Sequence, residues 1–306
     1  MDKVLVVGGA GFIGSNLCKE LIKTSKVYCL DNFSTGHLEN IFDLTENINF
    51  ELIEGDAEDF ESIINFDYIY HLGSPASPQA YQELSIKTFT SNVLGSLNLL
   101  KLAQKSGARI LFTSTSEVYG NPQEHPQSET YWGNVNPVGI RSCYDESKRA
   151  AETLFFEYFT AGVNACIVRI FNTYGENMDR NDGRVVSNFI NQALEGKDIT
   201  VYGDGTQTRS LCYITDTVRG IMSMAKSDFF GPINIGNPFE ITIQELAEIV
   251  KKLTNSNSKI VYNLLPEDDP IKRKPDITKA SACLKWTPKV SLDEGLKKTI
   301  AYYKEN

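Results

Sequence analysis

Residues 3–21 read KVLVVGGAGFIGSNLCKEL. The run Lys3–Val7 is apolar and β-branched enough for a buried strand, and the residues after Gly14 carry helical periodicity. Between them Gly8, Gly11 and Gly14 stand in a G-x-x-G-x-x-G spacing. Glycine permits a tight turn and the close approach of a pyrophosphate, whose charge the amino end of the following helix stabilises. A glycine triplet alone is a weak signal. Here the next apolar run, KVYCL at 26–30, ends in Asp31, about twenty residues on, where a carboxylate can bond the ribose hydroxyls of an adenosine. That carboxylate repels a 2′-phosphate, so the combination predicts a dinucleotide site that takes NAD in preference to NADP.

The same alternation continues outward. NFELI (49–53), DYIYHL (67–72), RILFT (109–113) and ACIVRI (165–170) are further strand candidates. The longest helix-like segments between them cover 80–107 and 143–162. Repeated strand–helix alternation predicts an α/β fold, a doubly wound parallel Rossmann sheet. After about Asn172 the pattern turns irregular, with amphipathic helices at TIQELAEIVKKL (242–253) and SLDEGLKKTIAYYKEN (291–306). This reads as a cofactor domain over 1–172 and a smaller, mainly substrate-binding C-terminal lobe over 173–306, some segments of which return to the sheet.

Composition narrows the partners. Thirty Lys and Arg against 39 Asp and Glu give a net charge of −9. Such a chain has no general attraction for nucleic acid or an anionic membrane. No run approaches the roughly 20 apolar residues of a membrane span, and the amino terminus lacks a signal-peptide layout, so a cytoplasmic protein is expected. The six cysteines form no C-x-x-C pair and the three histidines lie far apart, which predicts reduced thiols and no metal site. His71, at the end of YIYH, reads as a structural residue.

Two constellations carry chemistry. Tyr144 and Lys148 in CYDESK are four apart and share a helical face. A lysine ammonium together with a bound nicotinamide cation lowers a phenol's pKa, which would let Tyr144 accept a proton near neutrality. TSTSEVYG (113–120) follows RILF, so Thr115, Ser116 and Glu117 arrive at the carboxyl end of a strand, where an open α/β sheet binds its ligand.

With the glycine turn, these residues resemble the extended short-chain dehydrogenase/reductase superfamily. The stretches at 71–81, 113–152, 169–190, 201–210 and 267–280 narrow the resemblance to its UDP-glucuronate decarboxylase branch, over essentially the whole chain. YWGNVNP (131–137) and the DDP and RKPDI of 268–277 are particular to that branch; Gly73, where alanine is usual, departs from it. Related 4,6-dehydratases carry Thr-Asp-Glu where this chain has Thr115-Ser116-Glu117. Their Asp protonates a departing hydroxyl, and a serine has no such proton to give at neutral pH.

The resemblance implies a cycle. Tyr144, assisted by Lys148 and Thr115, takes the sugar's 4-hydroxyl proton while NAD takes the hydride; the β-keto acid loses carbon dioxide, carbon 5 is protonated and carbon 4 is reduced again, giving UDP-xylose. Glu117 and Arg273 serve the middle steps, beside Ser116. The cofactor site comprises Gly8, Gly11, Phe12, Ile13, Gly14, Asp31, Asn32, Asp56 and Leu72 with Tyr144 and Lys148. The UDP-sugar falls to Pro75, Asn172, Arg184, Asn188, Tyr202, Gln207, Arg209 and Arg273. Helices near 80–105 and 142–161 pair two subunits into a homodimer. The alternatives are a UDP-N-acetylglucosaminuronate decarboxylase, a 4-epimerase or 4,6-dehydratase, and a catalytically silent nucleotide-binding regulator.

Overall fold

The computed structural model describes residues 1–265 and 272–305. Asp268, Asp269 and Pro270 of the DDP motif lie outside the described residues. The six strand candidates form β1 (Asp2–Val7), β2 (Ser25–Asp31), β3 (Phe50–Glu54), β4 (Tyr68–His71), β5 (Arg109–Thr115) and β6 (Ala165–Ile170). All pair in parallel, in the order β6-β5-β4-β1-β2-β3. Val4–Val7 and Ile110–Thr115 are buried without alternation, the mark of strands covered on both faces.

A seventh strand, Ile233–Ile235, extends the sheet beside β6. Three residues between Gly231-Pro232 and Gly236 are too short for a pattern, but all three are buried. The helix Ile214–Ala225 packs on the first helix, α1 (Phe12–Leu21), and on β5 and β6.

The segment 80–107 is not one helix. It divides into Pro78–Glu83, Ser85–Thr90, a π-helical turn Ser91–Gly95 and Ser96–Ser106. Leu84, at φ −107° and ψ 38°, makes the first break. In the π turn the buried Asn92 donates to Ser147 Oγ at 2.9 Å, which ties this segment to the helix Ser142–Thr160. The helix Ile243–Thr254 begins with a Thr242/Glu245 capping box, and Leu292–Glu305 ends the described chain. Among the described residues no helix is long and apolar enough to cross a membrane.

The second half adds a three-stranded sheet in the order Glu240–Thr242, Thr208–Ser210, Lys272–Arg273. The last two strands pair in parallel with Arg273 beside Arg209. This register sets two guanidinium side chains next to each other, over the carboxyl edge of the large sheet.

Candidate active site

A cavity of about 1550 Å³ runs between that edge and the second half of the chain. All the catalytic, cofactor and UDP-sugar candidates named from the sequence border it, from Gly8 on β1's turn to Arg273. At its cofactor end the turn leaves no room for side chains. A Cβ on Gly8, whose φ is +77°, would lie 2.8 Å from the Gly73 backbone, and one on Gly14 would lie 2.0 Å from the Gly8 carbonyl. The Asp31 carboxylate accepts hydrogen bonds from the Ala10 and Phe33 backbone at 2.8 and 2.9 Å. Burial raises its pKa against the pull of those amides. Each oxygen keeps a lone pair for a ribose hydroxyl. Asp56 accepts from Asn32 at 2.6 Å and pairs with Lys87 at 2.7 Å. A narrow glycine cradle, a helix amino end and a buried carboxylate fit a dinucleotide. Gly36, which the sequence reading passed over, completes it: a Cβ there would meet Asp31 Oδ1 at 2.8 Å.

Beyond the cradle, the helix Ser142–Thr160 presents Tyr144 and Lys148 to Thr115 at the end of β5. Both are buried, and the neighbouring Thr115 side chain favours the phenol's charged form. Lys148 Nζ donates to the Thr113 carbonyl at 2.9 Å and stands 5.7 Å from the Tyr144 ring centre. The protein's own groups do not bring the phenol toward neutrality. Burial pushes Tyr144 up to about 12, with the Thr115 side chain opposing, and burial pushes Lys148 down to about 7. Desolvation therefore outweighs mutual assistance, and any further lowering of the phenol has to come from a positive charge brought by the ligand. Tyr81 stacks on Tyr144 at 5.0 Å and 7° between planes, which fixes the ring's orientation. His71 is buried against Phe112, and burial holds it near 3, so it stays neutral.

Ser116 and Glu117 form the 3₁₀ turn after β5. Glu117 Oε2 accepts from Arg141 at 2.5 Å and Arg273 at 3.1 Å, and Arg273 also donates to the Ser116 carbonyl at 2.9 Å. Burial works against the charge on Glu117, but Arg273, Arg141 and Arg209 outweigh it and hold the carboxyl below its ordinary value. Arg273 is only 1% exposed, while its neighbour Lys272 is exposed, so the basic run of 272–274 is not a solvated cluster. Arg141 is the member the sequence reading missed. Its signal was the i, i+4 spacing to Asp145, whose carboxylate lies 3.6 Å from Arg141 Nε. Burial and the nearby Glu117 raise Asp145 to about 7, but it does not border the cavity.

The remaining candidates differ in how free they are. Arg184 gives a two-pronged ion pair to Asp182, and the Asn188 amide donates to the Gly183 carbonyl at 2.9 Å. The Gln207 amide is bonded to the Tyr202 carbonyl, Tyr202 is partly exposed, and Arg209 Nη1 donates to the Thr208 carbonyl at 2.9 Å. Pro75 and Asn172 contribute to the wall.

The model of the NAD dependent epimerase/dehydratase family matches residues 4–236. UDP-glucuronic acid decarboxylase 1 of Arabidopsis thaliana is 52% identical over 99% of this chain and 70% of its own length. UDP-glucuronic acid decarboxylase 5 of the same plant is 54% identical over 96% of this chain and 87% of its own. Among solved structures, the UDP-glucuronic acid 4-epimerase of Bacillus cereus, in complex with UDP-glucuronic acid and NAD, superposes with a TM-score of 0.91 at 29% identity, covering 99% of both chains.

Proposed function

The chain belongs to the NAD dependent epimerase/dehydratase family and, within it, to the UDP-glucuronic acid decarboxylases, and from that premise we propose that it converts UDP-glucuronate to UDP-xylose with NAD as a recycled cofactor. The observation that carries the proposal is the arrangement around Glu117: two guanidinia, Arg141 and Arg273, converge on one carboxylate, with Ser116 where dehydratases keep an acid. Such a site can hold or release a carboxylate but cannot hand a proton to a departing hydroxyl.

Gly8, Gly11, Phe12, Ile13, Gly14, Asp31, Asn32, Asp56 and Leu72 would hold NAD. When bound, NAD supplies a hydride acceptor for sugar carbon 4 and, in its oxidised form, a positive charge in the cavity. Tyr144 takes the 4-hydroxyl proton, with Thr115 favouring the phenol's charged form and Lys148 adding charge to the extent it is protonated. Once carbon 4 is a ketone, the carboxyl carbon leaves as carbon dioxide and the electrons of the broken bond flow into the ketone oxygen. Tyr144 and Thr115 stabilise the resulting enolate. Arg273 binds the carboxylate before it leaves, and Glu117 orients the sugar or a water for protonation of carbon 5. Arg209 bonds the diphosphate, where a guanidinium suits two phosphate charges; Pro75, Asn172, Arg184, Asn188, Tyr202 and Gln207 line the rest of the UDP-sugar site.

The proposed division of labour gives the cofactor to residues 1–172, with the helix Ile214–Ala225 and the strand Ile233–Ile235 serving the same unit, and the UDP-sugar mainly to the rest. A homodimer is part of the proposal. Ile86, Phe89 and Leu94 on one segment and Phe156 on the helix Ser142–Thr160 expose apolar surface that a second copy would bury.

The test is incubation with UDP-glucuronate and NAD, following carbon dioxide and the sugar product by NMR. UDP-xylose with carbon dioxide supports the reading. UDP-galacturonate without carbon dioxide would make the chain a 4-epimerase like its structural neighbour, and an inert UDP-glucuronate would refute the substrate.

A further inference from the structure

The residues His125–Glu129, HPQSE, precede YWGNVNP, yet none borders the cavity and no step above uses them. Their geometry is that of a mount. Gln127 is fully buried and bridges in parallel to Pro275. Its backbone N–H donates to the Lys274 carbonyl at 2.8 Å, its side-chain Oε1 accepts from Lys274 N at 2.8 Å, and its carbonyl accepts from Asp276 N at 2.9 Å. Its Nε2 donates to the Glu124 carbonyl at 2.7 Å, which holds the amide in place. Three hydrogen bonds from one residue thus fix the chain directly after Arg273.

A second residue closes the frame. Asn234 Nδ2 donates to the Gln127 carbonyl at 3.0 Å and the Asp276 carbonyl at 3.1 Å. Its Oδ1 accepts from Tyr119 Oη at 2.7 Å, and its backbone donates to Glu129 Oε1 at 2.8 Å. Tyr119 ends the same 3₁₀ turn that carries Ser116 and Glu117. The frame therefore starts at the carboxylate, passes through Tyr119, Asn234 and Gln127, and returns to the guanidinium that meets it. The strand bearing Arg273 is two residues long and has little ladder of its own, so its flanking contacts set its position.

We infer that Gln127 is a positioning residue: with Asn234 it fixes the backbone after Arg273 and so sets where that guanidinium stands against Glu117 during loss of the carboxylate. The inference rests on the role proposed above for Arg273. Gln127→Met keeps the bulk and removes both the acceptor for Lys274 N and the donor to the Glu124 carbonyl, whereas Gln127→Glu keeps the acceptor and, with its buried carboxyl protonated, the donor as well. Three quantities are read: kcat for carbon dioxide release, UDP affinity by calorimetry, and the side-chain Nε resonance of Arg273 in ¹⁵N spectra, assigned by its loss in Arg273→Ala.

Gln127→Met should lower kcat by ~10- to ~100-fold, the scale of a misplacement near 1 Å. It should leave UDP affinity unchanged and shift the Arg273 resonance, and Gln127→Glu should recover most of the lost kcat. In the Arg273→Ala background Gln127→Met should cost nothing further, since both residues then act through one missing group. Equal fractional losses in the two backgrounds, or an Arg273 resonance unmoved by Gln127→Met, would overturn the inference. If Gln127→Met does not fold, Asn234→Ser loosens the frame from the other side and is judged by the same criteria. A wild type that releases no carbon dioxide refutes the substrate assignment instead, and the Arg273 resonance still decides the inference.

Discussion

Arg273→Ala probes the site where the chain commits most to a carboxylate substrate. The guanidinium gives two hydrogen bonds, to the Ser116 carbonyl at 2.9 Å and to Glu117 Oε2 at 3.1 Å. Removing one partner of a buried ion pair costs ~3–5 kcal/mol when the other charge is stranded. Glu117 is not stranded, because Arg141 stays 2.5 Å from the same oxygen. The stability loss should then be nearer the ~1.5–3 kcal/mol of a hydrogen bond to a charged group, and the variant should fold with a lower Tm. Catalysis should suffer more. Loss of a group that engages the reacting carboxylate is expected to lower kcat by ~100-fold or more, on the scale of one removed charge-stabilising donor.

The assay pairs carbon dioxide release at saturating UDP-glucuronate with UDP affinity by calorimetry. Because the guanidinia hold Glu117 below its ordinary value, its contribution to stability is present above the unfolded carboxylate pKa, ~4.3, and is lost as pH falls through the folded one. Arg273→Ala should move that acid loss to higher pH. Wild-type carbon dioxide release from the variant, or a loss of UDP affinity as large as the loss of kcat, would refute the reasoning.

Other perturbations test other parts of the site. Tyr144→Phe removes the proton acceptor but no UDP contact, so turnover should fall by ~100-fold or more with UDP binding kept; undiminished carbon dioxide release contradicts the assignment. Asp31→Ala should weaken NAD and narrow its advantage over NADP in binding titrations. It should also lower Tm, since the Ala10 and Phe33 amides lose their acceptor; a ligand-free wild type that binds NADP more tightly than NAD sinks the assignment. Lys148 is a buried base held near 7, so its cost to the fold is full below that pH and relieved as pH rises toward the unfolded value. The stability of wild type relative to Lys148→Met should therefore climb from pH 7 to 9 by up to about 1.4 kcal/mol per pH unit, measured by denaturant unfolding. A flat difference would mean that Lys148 stays charged.

The large sheet was legible because strands such as β1, β2 and β5 are buried on both faces and read as continuous apolar runs, while the edge strand β3 is partly exposed and the seventh, Ile233–Ile235, is three residues long, too short for a period to detect. The break at Leu84 and the π turn at Ser91–Gly95 were hidden for a different reason. Apolar residues recur at helical spacing through 80–107 even though the Ser, Thr, Asn and Gly of 85–98 are weak helix formers, and the interruption accompanies tertiary contacts such as Asn92 to Ser147. The site candidates named from the sequence line one cavity. What no local pattern announces is the partner across the cavity. Gly36 and Tyr81 take their places only from neighbours that the fold supplies, and the i, i+4 spacing of Arg141 to Asp145 gives no sign of its contact with Glu117.

Arg273 is the instructive case. Read alone, Lys272-Arg273-Lys274 is a charge run with every reason to face water. In the fold its middle residue is pinned by strand pairing to Arg209 and by Gln127 at the next position, so Arg273 turns inward while Lys272 stays out. Alternation along a strand decides which cation is buried, and the buried one meets Glu117, more than 150 residues away, at 3.1 Å. Two guanidinia are set side by side by one register, facing a carboxylate at the end of β5. Burial lowers the pKa of Arg273, Glu117 opposes that, and Arg209 and Arg141 lower it further, so a substrate that brings negative charge of its own, on a diphosphate and on the sugar, offsets the repulsion among the guanidinia.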